Sequence, residues 1–183
     1  MRSTIPNWVW IAGGVALLIA LTSGGIVTAN YLTAAWMASN NARKWAPVFQ
    51  SVEDELGLPP GLLARVAYQE SRFRQDIIDG STVSPAGALG IMQLEPEYFS
   101  TVNRPRPFSD ADTQDQIVEG ATELARLFNV YQDWTRAVAA YNAGQGKINK
   151  VLAGTATLKP ETIAYLAEIS ADLPNVVNPT LAA

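Results

Sequence analysis

No charged residue occurs between Arg2 and Arg43, whereas the chain beyond Arg43 carries charges throughout. That division constrains the fold more than any other feature. A long uncharged apolar run belongs in a bilayer or in a cleaved leader, and only the remainder can build a water-facing domain. Residues 8–31 hold most of the apolar bulk, in Trp8-Val9-Trp10-Ile11, in the run from Val15 to Leu21, and in Ile26-Val27. A helix of about 20 residues crosses the hydrocarbon core of a membrane. Trp8, Trp10, Tyr31 and Trp36 flank the run as interfacial aromatics do. The pattern predicts one N-terminal transmembrane helix within residues 1–32, meeting the lipid bilayer through residues 8–31. A signal peptide ending near Val27-Thr28-Ala29 is the alternative. Against it stand the length of the run and an amino end that bears only Arg2 and the α-amino group. Arg43 and Lys44 follow the run, so the positive-inside tendency slightly opposes an outward-facing domain.

The 183 residues are enough for one ordinary domain and an appendage. The chain has no Cys and no His. Disulfides, thiol nucleophiles, Ser-His and Cys-His dyads and Cys- or His-based zinc sites are thereby excluded. Chemistry must run on carboxylates, hydroxyls, Tyr, Lys or a carboxylate-bound metal. With a formal net charge of −4 and no long Lys/Arg run, nucleic acid is not an expected partner.

Beyond a polar, small-residue connector over 33–43, helical spacing dominates. Trp45, Val48, Phe49, Val52 and Leu56 form one stripe, closed by Gly57 and Pro59-Pro60. A second helix is predicted from about Pro60 to Arg72. Residues 74–113 read as loop with short helical pieces, rich in Gly and Pro. Asp110, Asp112 and Asp115 suit the start of the next helix, and they lack the Gly and distal Glu of a calcium loop. Ile117, Gly120, Ala121, Leu124, Ala125 and Phe128 mark that helix. Trp134 to Tyr141 makes another, broken by Asn142-Ala143-Gly144-Gln145-Gly146, and Lys147 to Leu152 a short one. A last helix opens at Pro160, with Ile163, Leu166 and Ala167 expected to face inward. No strand pattern of useful length appears. The expectation is an all-α domain over 44–171 with an irregular tail over 172–183.

One acid stands out. In the second helix Leu63, Val66, Ala67 and Glu70 share a face, so Glu70 falls on the apolar stripe beside Phe73. Burial disfavours the ionised form and raises a carboxyl's pKa. A carboxyl still protonated near neutral pH is suited to general-acid work. Three further segments carry candidate groups. Ser84 begins a run through Gly87 to Gly90-Ile91-Met92-Gln93, whose small residues let backbone approach a ligand and whose Gln93 amide both donates and accepts. Tyr141 and Asn142 close an apolar stripe, and a buried phenol needs a partner such as a carboxyl. Glu161 and Tyr165 lie four apart on the last helix, on one face.

The order Glu70-Ser71, Gly90-Ile91-Met92-Gln93, Ala140-Tyr141-Asn142-Ala143-Gly144, Glu161-Thr162 with Tyr165 resembles the soluble lytic transglycosylase family, over about residues 44–170. The resemblance implies a goose-type-lysozyme-like helical domain. It implies cleavage of the β-1,4 bond between N-acetylmuramic acid and N-acetylglucosamine in peptidoglycan, with 1,6-anhydromuramic acid as product. It maps the sole catalytic acid/base onto Glu70. Ser71, Ser84, Met92, Gln93, Tyr141, Asn142, Glu161 and Tyr165 would contact substrate or flank the acid, with Tyr141 and Glu161 holding its orientation and proton. No cofactor or metal is implied. The expected setting is the bacterial inner membrane with the domain facing the cell wall, in wall turnover, in a secretion or conjugation apparatus, or in a phage particle.

The interval from Glu70 to Gly90 is longer than the family's usual spacing. It includes Asp76 and Asp79. A second carboxylate in the groove could activate water and make the chain a hydrolysing muramidase. A glycan-binding protein without activity is the non-enzymatic alternative.

Overall fold

The computed structural model describes residues 34–181. The predicted transmembrane helix lies outside them, and among the described residues no helix is long and apolar enough to cross a membrane. The elements in chain order are α1 (Asn40–Leu56), α2 (Leu62–Ser71), α3 (Gln75–Ile78), α4 (Asp110–Tyr131), α5 (Trp134–Ala143), α6 (Gln145–Leu152) and α7 (Pro160–Asp172), with 3-10 turns at Ala35–Met37 and Thr101–Asn103. The described residues are thus all-helical apart from one isolated antiparallel bridge, Leu89 to Leu94.

α1 begins a full turn before the first apolar residue that marked it. Ser39 caps it, its hydroxyl accepting from the Ala42 amide at 3.0 Å. Gly57 ends it in the left-handed region, with φ 68°. The segment before it is more than a connector. Trp36 and Met37 are buried in the core, which their polar, small-residue neighbours concealed.

α2 is the innermost helix. Leu62, Leu63, Ala64, Val66 and Ala67 are all fully buried, so it has no solvated face over its first turns. Its N-terminus is covered by a side chain from α1. The Glu53 carboxylate accepts from Gly61 N at 2.8 Å, Leu63 N at 2.9 Å and Ala64 N at 3.3 Å. Those amides would otherwise be unpaired in the interior. Burial nevertheless pushes the Glu53 pKa up to about 7, against the pull of the three bonds.

A buried arginine locks α2 to α7. Arg65 donates through Nε to Asp172 at 2.6 Å, through Nη1 to Gln69 at 2.8 Å, and through Nη2 to the Glu168 carbonyl at 2.8 Å. Trp36 and Tyr68 lie against its guanidinium, with ring centroids 5.6 and 5.3 Å away. Its bond to the Glu168 carbonyl also brings positive charge to the C-terminal end of α7.

α4 starts with a capping box, Ser109 with Asp112, so the cap is the serine and not one of the three acids. Asp112 and Asp115 both bind Arg104. α4 packs on α1 and α5, and α5 on α6 and α7. The loop over 90–93 rests on α4 through two close approaches. Gly90, at φ 78°, sits against the Gln116 side chain, and the bare Cα of Gly120 accommodates Met92. A Cβ at Gly120 would stand 2.8 Å from Met92 Cε.

On α7 the inward face is Thr162, Tyr165, Leu166 and Ile169. Of the three residues expected inward only Leu166 is buried; Ile163 is 47% exposed and Ala167 is also on the surface. The correction follows from the helical period, since 162, 165, 166 and 169 form one stripe and 163 and 167 lie to its side. The tail beyond Asp172 is irregular yet docked. Val177 is buried, and Asn178 N donates to Thr135 Oγ1 at 2.9 Å.

Candidate active site

Glu70 occupies the last turn of α2 and projects where the buried helix finally meets solvent. Its neighbour turns the other way. Ser71 is fully buried; its hydroxyl donates to Ala67 O at 2.8 Å and accepts from Phe73 N at 3.2 Å. Ser71 therefore shapes the helix end and does not reach a ligand. One residue on a helix rotates the side chain by about 100 degrees, and that places Ser71 in the core when Glu70 is outside it.

Glu70 lines a cavity of about 690 Å³ together with Ser84, Gln93, Tyr141, Asn142, Glu161 and Tyr165. Residues far apart in the chain thus converge as their motifs suggested. Met92 does not join them. Its side chain is fully buried against Gly120, and only its carbonyl faces the site, accepting from Tyr141 Oη at 2.9 Å. That bond also reassigns the phenol expected to hold the acid. The hydroxyl that meets Glu70 belongs to Tyr165, donating to Oε1 at 2.6 Å.

The electrostatics of Glu70 have three identifiable sources. Burial pushes its pKa up from 4.5 to about 7; the Tyr165 bond pulls it down, and the nearby Glu161 charge pushes it up again. Glu161 stands one turn before Tyr165 on α7, so a single helix delivers both influences. The Tyr141 and Tyr165 phenols are themselves pushed well above their ordinary value, first by burial and then by the Glu70 charge. They remain protonated donors across the neutral range. Gln93 takes a left-handed backbone, φ 49°, and its amide bonds Gly90 O at 3.1 Å.

Sequence reasoning missed Gln69, Arg72, Glu95, Ala164 and Glu168, which also line the cavity. The signal for two of them was present. Glu161, Ala164, Tyr165 and Glu168 recur at i, i+3, i+4 and i+7 on α7. A second cavity of the same volume adjoins through Gln93, Glu95, Tyr141 and Asn142, with Tyr98, Phe99 and Gln145 on its far walls.

The extra acids of the 74–84 loop are spent locally. Asp76 receives Thr82 Oγ1 at 2.7 Å and Arg74 Nη2 at 2.6 Å, which hold its carboxyl below the usual range. Asp79 receives Ser81 N at 2.9 Å and is likewise held down by Ser81. Neither lines the cavity that holds Glu70. Among the described residues no group of three or more Asp or Glu side chains is placed to hold a metal ion.

Comparison with known proteins gives a consistent picture. A family model described as Transglycosylase SLT domain matches residues 47–164. The membrane-bound lytic murein transglycosylase F of Maricaulis maris is 34% identical over 115 residues, covering 58% of this chain and 23% of that protein. An X polypeptide of Escherichia coli is 29% identical over 136 residues, covering 73% of this chain and 76% of that protein. The invasion protein IagB of Salmonella typhimurium is 28% identical over 121 residues, covering 62% and 72%. The chain thus spans less than a quarter of the first of these relatives, and about three quarters of the other two.

Proposed function

The chain belongs to the Transglycosylase SLT domain family, and from that premise we propose that it is a peptidoglycan lytic transglycosylase with Glu70 as its single general acid/base. The observation that carries this reading is a partly buried carboxyl with a pKa near 7, bonded by one phenol, in a cavity lined by amide and hydroxyl groups. Such a group is half protonated near neutral pH and can serve as acid in one step and base in the next. The surrounding domain is read as lysozyme-like.

The mechanism follows from that one group. Protonated Glu70 donates to the glycosidic oxygen as the bond to muramic acid breaks. The neighbouring acetamido oxygen stabilises the cationic sugar, so no enzymic nucleophile is required. The Glu70 carboxylate, steadied by Tyr165, then accepts the proton of the C6 hydroxyl. That oxygen attacks the anomeric carbon of its own sugar and closes the 1,6-anhydro ring. Intramolecular attack has a high effective concentration and needs no bound water. Gln93 and Asn142 supply amides for the sugar substituents. Mass analysis of digested peptidoglycan should find anhydro ends; reducing ends would favour the muramidase, and no release at all the inert binder.

Tyr165 has a distinct role in this scheme. Tyr165→Phe removes the donor to ionised Glu70 and is expected to lower kcat/KM by roughly 10-fold or more. Because the bond lowers the Glu70 pKa, its loss should also move the alkaline limb of the pH profile upward. An unchanged limb would contradict the assignment.

The uncharged run over 8–31 and the membrane-bound relatives support a further reading, in which the domain is anchored to the inner membrane and opens the wall locally from its outer side. Wall turnover, a secretion or conjugation apparatus and phage entry all require that step. Protease digestion of intact spheroplasts should remove residues 44–183; protection of the domain would reject this topology.

A further inference from the structure

Glu53 is a buried acid that the proposed reaction does not use. It is 2% exposed and forms the corner between α1 and α2. Its backbone carbonyl accepts from Gly57 N and, at 2.9 Å, from Leu58 N, which closes α1. Its carboxylate reaches forward to the start of α2, where Oε2 takes the Gly61 amide and Oε1 those of Leu63 and Ala64. Ser, Thr, Asp or Asn ordinarily caps a helix from the N-cap position itself. Here that position is Gly61, at φ 84° and with no side chain to give, and Pro59 and Pro60 precede it. The cap therefore comes from another helix. α2 is 10 residues long, too short to hold itself without tertiary support. Arg65 ties its flank to α7, and Glu53 ties its start to α1. Glu70 stands about two turns beyond Leu63 on the same helix.

All three bonds need an acceptor. A carboxylate accepts on both oxygens, whereas a neutral carboxyl turns one of them into a donor, which cannot face an amide N–H. The bonds that remain lose the strengthening of charge. Burial acts the other way: it favours the neutral form and brings the pKa of Glu53 to about 7, with the charge of Asp54 adding to the rise. The stripe that α4 buries contains no ionisable residue, and the turn before α1 contributes Trp36 and Met37. The α7 acids Glu168 and Asp172 are paired with Arg72 and Arg65. Resting on the reading above, we propose that Glu53 is a positioning residue for Glu70: its carboxylate fixes the start of the catalytic helix, and taking up a proton releases that hold and turns the enzyme down in acid. Stability and activity then move apart. Because the folded pKa lies above 4.5, the fold as a whole gains as pH falls from about 7 to 4.5, while the hold on α2 weakens over the same range.

The test is a pH profile of peptidoglycan cleavage by the full chain, beside melting temperatures. A group with a pKa of about 7 is roughly 1% ionised at pH 5. The wild-type kcat/KM should fall ~10-fold from about pH 7 to about pH 5 with no loss of melting temperature. Glu53→Gln copies the neutral carboxyl in shape and in donors. Its kcat/KM at pH 7 should sit near the wild-type value at pH 5 and should show no acid limb. Its melting temperature above pH 7 should be no lower than that of the wild type. Glu53→Asp keeps a titrating carboxyl and should keep a limb. An acid limb that persists in Glu53→Gln, full activity of that variant at pH 7, or a lowered melting temperature overturns the proposal. Amide exchange needs neither a variant nor cleavage. In the wild type, protection of Gly61, Leu63 and Ala64 relative to Val66 should drop between about pH 8 and about pH 5. A constant ratio overturns the hold by Glu53. A falling ratio in a chain that cleaves at no pH supports the hold and rejects only the catalytic reading.

Discussion

Replacing Glu70 by Gln is expected to lower strand cleavage by roughly 10²–10⁴-fold, the usual share of a positioned acid/base, while the fold persists. The amide keeps the shape of the carboxyl and can still accept from Tyr165, but it can neither donate nor take up the catalytic proton. The same substitution should reveal what the site costs. The folded-state pKa of Glu70 is about 7, above its ordinary 4.5. A raised pKa means the folded state holds the proton more tightly than the unfolded chain. Its contribution is therefore complete below about pH 4.5 and is lost as pH climbs through 7. The shift corresponds to roughly 3 kcal/mol, so Glu70→Gln should gain on the wild type between pH 4.5 and 7 in denaturant titrations. Glu53, also raised to about 7 by burial, stays in both proteins and cancels in that comparison. The wild-type kcat/KM should fall above pH 7, where the acid is lost.

The largest expected stability effect is at Arg65. Arg65→Ala removes a guanidinium that serves Asp172, Gln69 and the Glu168 carbonyl at once. Breaking a buried charge pair costs about 3–5 kcal/mol. The Asp172 side chain is 36% exposed, so the lower end is expected, about 3 kcal/mol by denaturant unfolding. The clamp joins the helix of Glu70 to the helix of Tyr165, so activity should fall with it even below the unfolding transition. Arg65→Lys should not rescue, because an ammonium cannot reach three acceptors arranged around a plane. A loss under 1 kcal/mol would show that α2 and α7 are held together by apolar packing instead.

Much of the site was legible because its chemistry is tied to local sequence. Glu70, Gln93, Tyr141, Asn142, Glu161 and Tyr165 each sit in a short motif, and all line one cavity. What a linear pattern could not reveal is which way a neighbour turns. Ser71 shares the Glu70 motif and faces the core, and Met92 shares the Gln93 motif and packs on Gly120. Their motifs combine a residue for substrate with a residue for the scaffold. The partner of Glu70 was equally hidden, since choosing Tyr165 over Tyr141 depends on how α5 and α7 cross. The helices themselves followed apolar spacing, with errors where a side chain reached across elements. Glu53 covers the start of α2 from α1, and Trp36 and Met37 enter the core from a segment that reads as polar. Arg65, a charged residue that no local pattern marks for burial, is 3% exposed, because three acceptors and two aromatic rings replace its water.

In the proposed reaction the sugar's own C6 hydroxyl, and not water, completes the step on Glu70. Digesting peptidoglycan with the full chain in heavy-oxygen water tests it directly. Attack by the C6 hydroxyl should give muropeptide ends that are one water lighter than hydrolysis products and carry no heavy oxygen. Reducing ends bearing one heavy oxygen would contradict it and assign the chain to hydrolysis.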